Sequence, residues 1–371
     1  MSSNVGFPTR SRRYSRSRVR LLGLTTAAAC VAAATACGSS GSSATPASTS
    51  SASGSSSTPS ASTTNITLAF PLYGAGDVPF FLAQDKGYFK QEGLNVKFTV
   101  VTASVGLQAA SSGSIQLDYT TTIRPVKTLS QGERFYAFMP VNVGFTDDVI
   151  MSKTAYEAAG LSSSSTLKQM MTALIHKPLG IISAGGENQE VWDYLFHLAG
   201  LPESDVDTVA LGSPDANLAA LKRGSVVASN LGGTSPAQAV QDGYAVYLTR
   251  LSENSVPSMN QVVSDMVVAS SAYAQANPSV LNGFVAAYQK AVADTYANPA
   301  AAEAMVYKDY PSEFASESKS DFDAELNLLL STKQLDASPA LTPTQISTLG
   351  TFFDSTGQSI PSNWQEVFQK P

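Results

Sequence analysis

From Asn65 onward, short apolar runs suited to strands take turns with longer stretches whose apolar residues recur every three or four positions, the spacing of one helix face. Ile66–Phe70 is predicted as the first strand, Pro71–Asp77 as a loop, and Val78–Tyr88 as a helix with Pro79 in its first turn. Leu179–Ser183 is predicted as a buried strand, followed by Ala184-Gly185-Gly186-Glu187-Asn188 and a helix over Gln189–Ala199. Gln261–Ala269 is a further strand. A capping residue followed by proline opens three late helices at Asn277-Pro278, Asn298-Pro299 and Thr342-Pro343, and Ser362 precedes a last short one that contains Trp364. The stripe Val280, Leu281, Phe284, Tyr288 and Val292 is a core-facing surface. Strands alternating with helices predict an α/β fold.

One pattern recurs at an offset of 111 residues: Leu107, Ala109, Gly113, Ser114, Pro125, Gly132 and Tyr136 match Leu218, Ala220, Gly224, Ser225, Pro236, Gly243 and Tyr247. In each copy a helix ends at a glycine suited to positive φ, Gly113 or Gly224, and a short strand follows, Ile115–Tyr119 or Val226–Ser229. The strand runs into a loop of small polar residues, and Pro125 or Pro236 marks the first turn of the next helix. In open α/β sheets ligands bind beyond the carboxyl ends of strands, beside helix N-termini with free N–H groups. Two related halves therefore predict two facing sites and a cleft between lobes.

Charge separates the N-terminus from this body. The 371 residues carry 23 Lys and Arg against 29 Asp and Glu, a net charge of −6. Six of the basic residues (Arg10, Arg12, Arg13, Arg16, Arg18 and Arg20) precede an apolar run from Leu21 to Ala36, and with them set aside 17 basic residues face 29 acidic ones, a net charge of −12. A body of that sign repels phosphate backbones, which excludes nucleic acid as a partner. Arginines followed by a short apolar run make residues 1–36 a secretory signal peptide. It ends in Ala34-Thr35-Ala36-Cys37-Gly38-Ser39, which resembles a bacterial lipobox and marks Cys37 for lipidation. Cys30, followed by further apolar residues, belongs to the signal itself. Ser11-Arg12-Arg13 leaves a twin-arginine export route beside the general one, although Ser15 and Arg16 stand where that signal has apolar side chains. Residues 38–64 comprise 13 Ser, 5 Thr, 4 Ala, 3 Gly and 2 Pro, a composition that cannot offset its ordering entropy and predicts a flexible tether. Its root-mean-square reach would be ~30 Å.

The stretch Pro79-Phe80-Phe81-Leu82-Ala83-Gln84-Asp85-Lys86-Gly87-Tyr88-Phe89, continuing into Glu92-Gly93-Leu94-Asn95-Val96, resembles the solute-binding proteins of the nitrate, sulfonate and taurine importers, whose fold is shared with thiamine-pyrimidine-synthesis proteins. The segments around Leu221-Lys222-Arg223-Gly224, Pro236 and Asn277-Pro278 extend the likeness over roughly residues 66–310, while Gln116 and Val227 stand where the family often has aspartate. The resemblance implies a two-lobed, type II periplasmic-binding-protein fold of the Venus-flytrap kind. Residues 65–150 plus 252–371 would form lobe 1 and residues 151–251 lobe 2, with hinges near Thr146–Ser152 and Leu248–Ser252. It implies a monomer, held by its lipid on the outer face of the cytoplasmic membrane, that captures a small organic or anionic ligand and presents it to an ABC permease and its ATPase. No cofactor and no catalysis are expected.

Candidate ligand residues come from the post-strand loops and first helical turns. From lobe 1 these are Tyr73, Gly74, Asp77, Phe80, Thr120, Thr122 and Arg124, and from lobe 2 Ser183, Gly186, Glu187, Asn188, Asn230, Gly232 and Thr234, with Asn142 and Thr146 near the hinge. Tyr73 and Phe80 would flank a planar or aliphatic ligand body, while hydroxyls, amides and free N–H groups hold its polar head. Arg124 either points into the cleft, where it would fork onto a sulfonate, carboxylate or phosphate, or is a surface arginine paired with an acid. Asp77, Glu187, Asp147 and Asp148 pull toward a cationic or neutral ligand, although helix capping explains Asp77 and Glu187 equally well. His176 and His197 lack acid or cysteine partners in sequence and read as structural. Two further readings stand beside solute binding: an enzyme of the thiamine-pyrimidine-synthesis type on the same fold, and a surface sensor that uses the cleft without transport. The resemblance implies clustered histidines and a cysteine-rich iron motif for the first, and the body has neither.

Overall fold

Ten strands form two five-stranded mixed sheets. The computed structural model describes residues 63–71, 73–184, 186–315, 319–355 and 359–371; the signal peptide, Cys37, nearly all of the tether and Gly185 lie outside them. The strands are β1 (Thr64–Phe70), β2 (Leu94–Val100), β3 (Leu117–Thr121), β4 (Phe135–Val143), β5 (Asp148–Ser152), β6 (Pro178–Ile181), β7 (Asp207–Ala210), β8 (Ala228–Leu231), β9 (Ala245–Arg250) and β10 (Val263–Ser270). Their orders, β2-β1-β3-β10-β4 and β7-β6-β8-β5-β9, are the same order written twice. In each sheet the fourth position is taken by a strand that arrives from the other lobe and runs antiparallel to its neighbours, β10 in the first and β5 in the second.

The 111-residue repeat is therefore structural. Leu68 faces Leu117 and Ala69 faces Asp118 across β1 and β3; Leu179 faces Ala228 and Gly180 faces Ser229 across β6 and β8. Gly113 (φ 78°) and Gly224 (φ 75°) end their helices in the left-handed region that glycine adopts without strain. Both strands then begin two residues later than the hydrophobic pattern predicts. The N–H of Ile115, the first residue of its predicted strand, returns to Ala109 O (3.3 Å) and that of Ser225, just before the other, to Ala220 O (2.9 Å), so each helix terminus extends toward the strand. The predicted helix Val78–Tyr88 is likewise two helices, Val78–Asp85 and Tyr88–Gln91, because Gly87 between them has φ 69°.

The stripe Val280, Leu281, Phe284, Tyr288 and Val292 is buried along the helix Pro278–Ala297, which packs on the aromatic core of lobe 1 with Phe70, Phe80 and Phe81. Each such side chain contributes roughly 1.5–3 kcal/mol of burial. A second core runs continuously through the hinge and joins Phe145, Val149, Trp192, Tyr194, Met266 and Phe352. The helix Pro343–Ser355 reaches lobe 2 from the C-terminal part of the chain, with Phe352 5.2 Å from the Tyr194 ring and 5.8 Å from that of Phe145. Trp364 stands edge-on to Phe353 at 5.1 Å.

The chain passes between sheets twice, from Val143 to Asp148 and from Arg250 to Val263. Gln334 binds both crossings: its carbonyl accepts the N–H of Val143 (2.8 Å), and its buried amide donates to Ser252 O (3.0 Å). Residues 148–150, expected in lobe 1, lie in the second sheet, because β5 is already paired with β8 and β9 at Asp148. Thr64, expected in the tether, begins β1 opposite Leu94. Among the described residues no helix is long and apolar enough to cross a membrane.

Candidate functional site

The crossing strands bring one carboxylate from each lobe to equivalent places. In lobe 1, Val267 of β10 faces Tyr119 of β3; in lobe 2, Val149 of β5 faces Asn230 of β8, and Asn230 is Tyr119 displaced by 111 residues. Two residues before each valine stand Asp265 and Asp147. Asp265 Oδ2 accepts hydrogen bonds from Asn142 Nδ2 (3.2 Å) and Ser264 Oγ (3.2 Å), and Asn142 Nδ2 also donates to the Tyr119 hydroxyl at 3.0 Å. Asp147 Oδ2 accepts from Asn188 Nδ2 at 2.6 Å. Asn188 Nδ2 donates as well to Asn230 O (3.2 Å), and Asn230 Nδ2 returns a bond to Asn188 O (2.6 Å). Asp148 turns away to the second hinge, where Ser252 donates to it through N–H (3.2 Å) and Oγ (2.6 Å) and Arg250 Nε lies 3.6 Å off.

The two lobes share one electrostatic field. Burial pushes the Asp147 carboxyl up to about 7, Asp148 and Asp265 push it further and the Asn188 hydrogen bond holds it back. Glu187, in the first turn of the helix Glu187–Leu198, is raised well above the carboxylate range by burial and then by Asp265, Asp147 and Glu190, with Arg124 opposing. Burial raises Asp265 against its hydrogen bonds from Asn142, Ser264 and Tyr119. Tyr119 rises through burial and through Asp265, Asp77 and Glu187. Asp265, Tyr119, Asp77 and Arg124 of lobe 1 and Asp147 and Glu187 of lobe 2 are thus coupled electrostatically across the boundary between the lobes, here called the seam. Below it, Lys127 Nζ of lobe 1 pairs with the buried Glu190 Oε1 of lobe 2 at 3.1 Å.

The sequence-derived candidates divide against this seam. Asp77, Asn142, Glu187, Asn188 and Asn230 belong to it. Arg124, half-buried in the first turn of the helix Ile123–Thr128, acts electrostatically on Asp118 of its own lobe and Glu187 of the other, and no ion pair within 4 Å is found for it among the described residues. Gly232 stands where a Cβ would lie 2.7 Å from Asp147 Oδ1, with Thr146 Oγ1 3.8 Å from the same point. Gly74 donates its N–H to Asp77 Oδ2 at 3.0 Å, and half-buried Thr234 precedes the helix Ser235–Gln241. Gly186 caps the helix Glu187–Leu198, so Glu187 and Asn188 are helical rather than loop residues, and exposed Ser183 accepts the Gly186 N–H at 3.2 Å.

Two expectations, those for Phe80 and Thr122, give way to packing. Phe80 has no exposed surface and lies 4.4 Å from the Tyr288 ring and 5.3 Å from that of Phe70, so it is core and cannot flank a ligand. Tyr73 is half-buried against Phe70 (5.2 Å) and Phe81 (5.1 Å). Burial, Asp77 and Glu313 push its hydroxyl up to about 12. The Thr122 hydroxyl donates to Ser264 O (3.2 Å), a structural bond, whereas the equally buried Thr120 Oγ1 has no partner. Asp265 and Tyr119 were absent from the sequence candidates; the available signal was an acid inside the apolar run Val262–Ala269. His176 lies ahead of β6, and His197 lies in the last turn of the helix that Glu187 begins; both are at the far end of their elements from the seam.

The family model described as "NMT1/THI5 like" matches residues 77–302, more than half of the chain, and the chain belongs to this family. No curated protein matches the sequence. Among solved structures it is similar to the periplasmic aliphatic sulphonate binding protein SsuA from Escherichia coli, with TM-score 0.61, 17% identity, and coverage of 83% of this chain and 92% of that one. A Candida albicans gene product exhibiting the generic periplasmic binding protein fold gives TM-score 0.59 at 15% identity over 83% and 96% of the two chains. The periplasmic nitrate-binding protein NrtA from Synechocystis PCC 6803 gives TM-score 0.53 at 16% identity over 71% and 70%. At these identities the likeness establishes the fold: α/β, two-lobed, of the periplasmic-binding-protein kind.

Proposed function

We propose that the protein is the extracytoplasmic solute-binding component of an ABC importer, lipid-anchored through Cys37, and that it captures a small ligand between its lobes and delivers it to a permease. The observation that carries this reading is the seam, where side chains from both lobes act on one another at the edge of each sheet where its parallel strands end and its crossing strand begins. A ligand held there touches both lobes only when they are closed, and only such differential contact shifts an open–closed equilibrium. On this reading residues 65–150 plus 252–371 and residues 151–251 move as the two lobes about the crossings, and the tether and lipid keep the body beside its permease. Family membership and the binding proteins of the same fold support binding ahead of catalysis.

Native mass spectrometry of the gently purified protein tests the proposal. The expected result is a single small molecule bound one to one and released chemically unchanged. In thermal melts a ligand at a hundredfold excess over its dissociation constant should add about 2.7 kcal/mol of stability. The starting panel is set by the ligands of the family and of the neighbouring structures: sulfonates, taurine, nitrate and pyrimidines. An empty protein together with an inert panel, extended to organic cations, defeats the reading.

A further inference from the structure

The polar groups of the seam are strongly unequal in kind. The donors of its asparagines and of Ser264 are already engaged: Asn142 Nδ2 on Tyr119 and Asp265, Asn188 Nδ2 on Asp147 and Asn230 O, Asn230 Nδ2 on Asn188 O, Ser264 Oγ on Asp265. Two of the same asparagines have acceptors to spare. Asn142 and Asn230 are 7% and 0% exposed, and among the described residues the Oδ1 of each has no hydrogen-bond partner. Asn142 grips Asp265 with its NH2 group and leaves its oxygen beside the Gly74–Asp77 turn, 3.5 Å from where a Cβ on Gly76 would stand. Asn230 is bonded through its NH2 group to the first turn of the helix that carries Glu187. A buried acceptor without a donor is destabilising, so two of them, one from each lobe, mark where a ligand's N–H groups belong.

Charge points the same way. The two carboxyl groups that the repeat sets in equivalent places, Asp265 and Asp147, act on each other and jointly on Glu187, while Arg124 opposes them at Glu187 and is shared with Asp118. Each of these acidic groups disfavours the ionisation of the others, and a positive group among them would relieve that.

From these observations we propose, on the solute-binding reading above, that the seam takes the N–H-rich head of an organic cation, a protonated amine, amidinium or guanidinium, held between Asp265 of lobe 1 and Asp147 and Glu187 of lobe 2. The cation donates to the carboxylates and to Asn142 Oδ1 and Asn230 Oδ1. It meets the acidic groups of both lobes only when they are shut, so its charge is the differential contact that closes the body. An anion would meet the carboxyl groups of Asp265, Asp147 and Glu187 and two bare acceptors, and would have to take Arg124 from Glu187.

The test uses the full chain in thermal melts and titration calorimetry with two sets of probes: putrescine, agmatine and benzamidine against ethanesulfonate, nitrate and acetate. Cations should raise the melting temperature and anions should not. Asp265→Asn should weaken cation binding about tenfold or more, the size of one charged hydrogen bond. It should leave the ligand-free melting temperature equal or higher, because a repelled carboxylate has been removed; a merely structural Asp265 would instead lower it. Stabilisation by the anions with the cations inert overturns the inference and leaves solute binding intact. If neither set acts, the species found by native mass spectrometry decides: a basic nitrogen compound supports the inference, an acid overturns it alone, and an empty protein overturns both readings.

Discussion

The helix–strand seat beside β3 in lobe 1 and its repeat beside β8 in lobe 2 have the same backbone and opposite chemistry. In lobe 2, Gly180 of β6 leaves room for a neutral network in which Asn217 Nδ2 donates to Ser213 O (2.9 Å) and Ile181 O (3.2 Å), and Ser229 Oγ donates to Asn217 Oδ1 (3.3 Å). At the matching places of lobe 1, 111 residues earlier, stand Ala69, Gly106 and Asp118. There the missing side chain is on the helix, and the space holds the Asp118 carboxylate, buried, with Oδ2 lacking a hydrogen-bond partner. Burial, opposed by Arg124, pushes that carboxyl up to about 8. One repeat thus closed its polar seat with an amide–hydroxyl pair, while the other kept a carboxyl whose ionisation burial disfavours. A shared fold fixes where the seat is and leaves its occupants free to differ.

Breaking the lobe 2 seat should have the largest effect. Gly180→Ala places a methyl against both Asn217 and Ser229, overpacking the site and disrupting buried hydrogen bonds, and should cost ~3 kcal/mol in urea unfolding. Gly106→Ala in lobe 1 meets only the Asp118 side chain and should cost less, ~1–2 kcal/mol. Its loss should shrink in the double variant with Asp118→Ser; an additive double-mutant cycle would show that the two residues do not share the seat.

Asp118→Asn sharpens the contrast through pH. A carboxyl held at about 8 keeps a proton in the folded chain that the unfolded chain releases near pH 4. The stability it contributes is complete below about pH 4 and is lost as pH rises through about 8. Melting temperatures across that window should fall less steeply in the variant, with ~1–3 kcal/mol gained at pH 8 and nothing gained at pH 4. The smallest effect is expected for Lys127→Ala, ~1 kcal/mol, because one end of its pair with Glu190 is partly exposed. Small-angle scattering should show a larger radius of gyration for that variant if the pair helps hold the lobes together, and an unchanged one if it only packs the helix.

Much of the architecture was legible in local signals. Glycines at helix ends, prolines in first turns and the register of the 111-residue repeat all depend on the backbone of a few neighbouring residues, and each appears where the pattern placed it. The late helices at Pro278, Pro299 and Pro343 follow the same logic, with Asn298 Oδ1 accepting the Ala301 N–H at 3.2 Å. Asn188, Asn230 and Glu187 were found because post-strand loops and helix starts converge at strand ends in any open α/β fold. Phe80 misled because it shares a helix start with cleft residues but points to the opposite side, and one-dimensional spacing does not say which side of a first turn meets ligand and which meets core.

By itself the sequence determined the alternation of elements, the duplication, the acidic body and the family, since each is a property of composition or of residues near one another in the chain. Only the tertiary structure decided that Asp265 joins Asp147 and Glu187. These residues are 118 and 78 positions from Asp265 along the chain and meet because β10 and β5 each cross into the sheet built by the other half. The sign of charge in a cleft is a sum over groups from both lobes, and such a sum exists only once the chain has crossed the hinge in both directions.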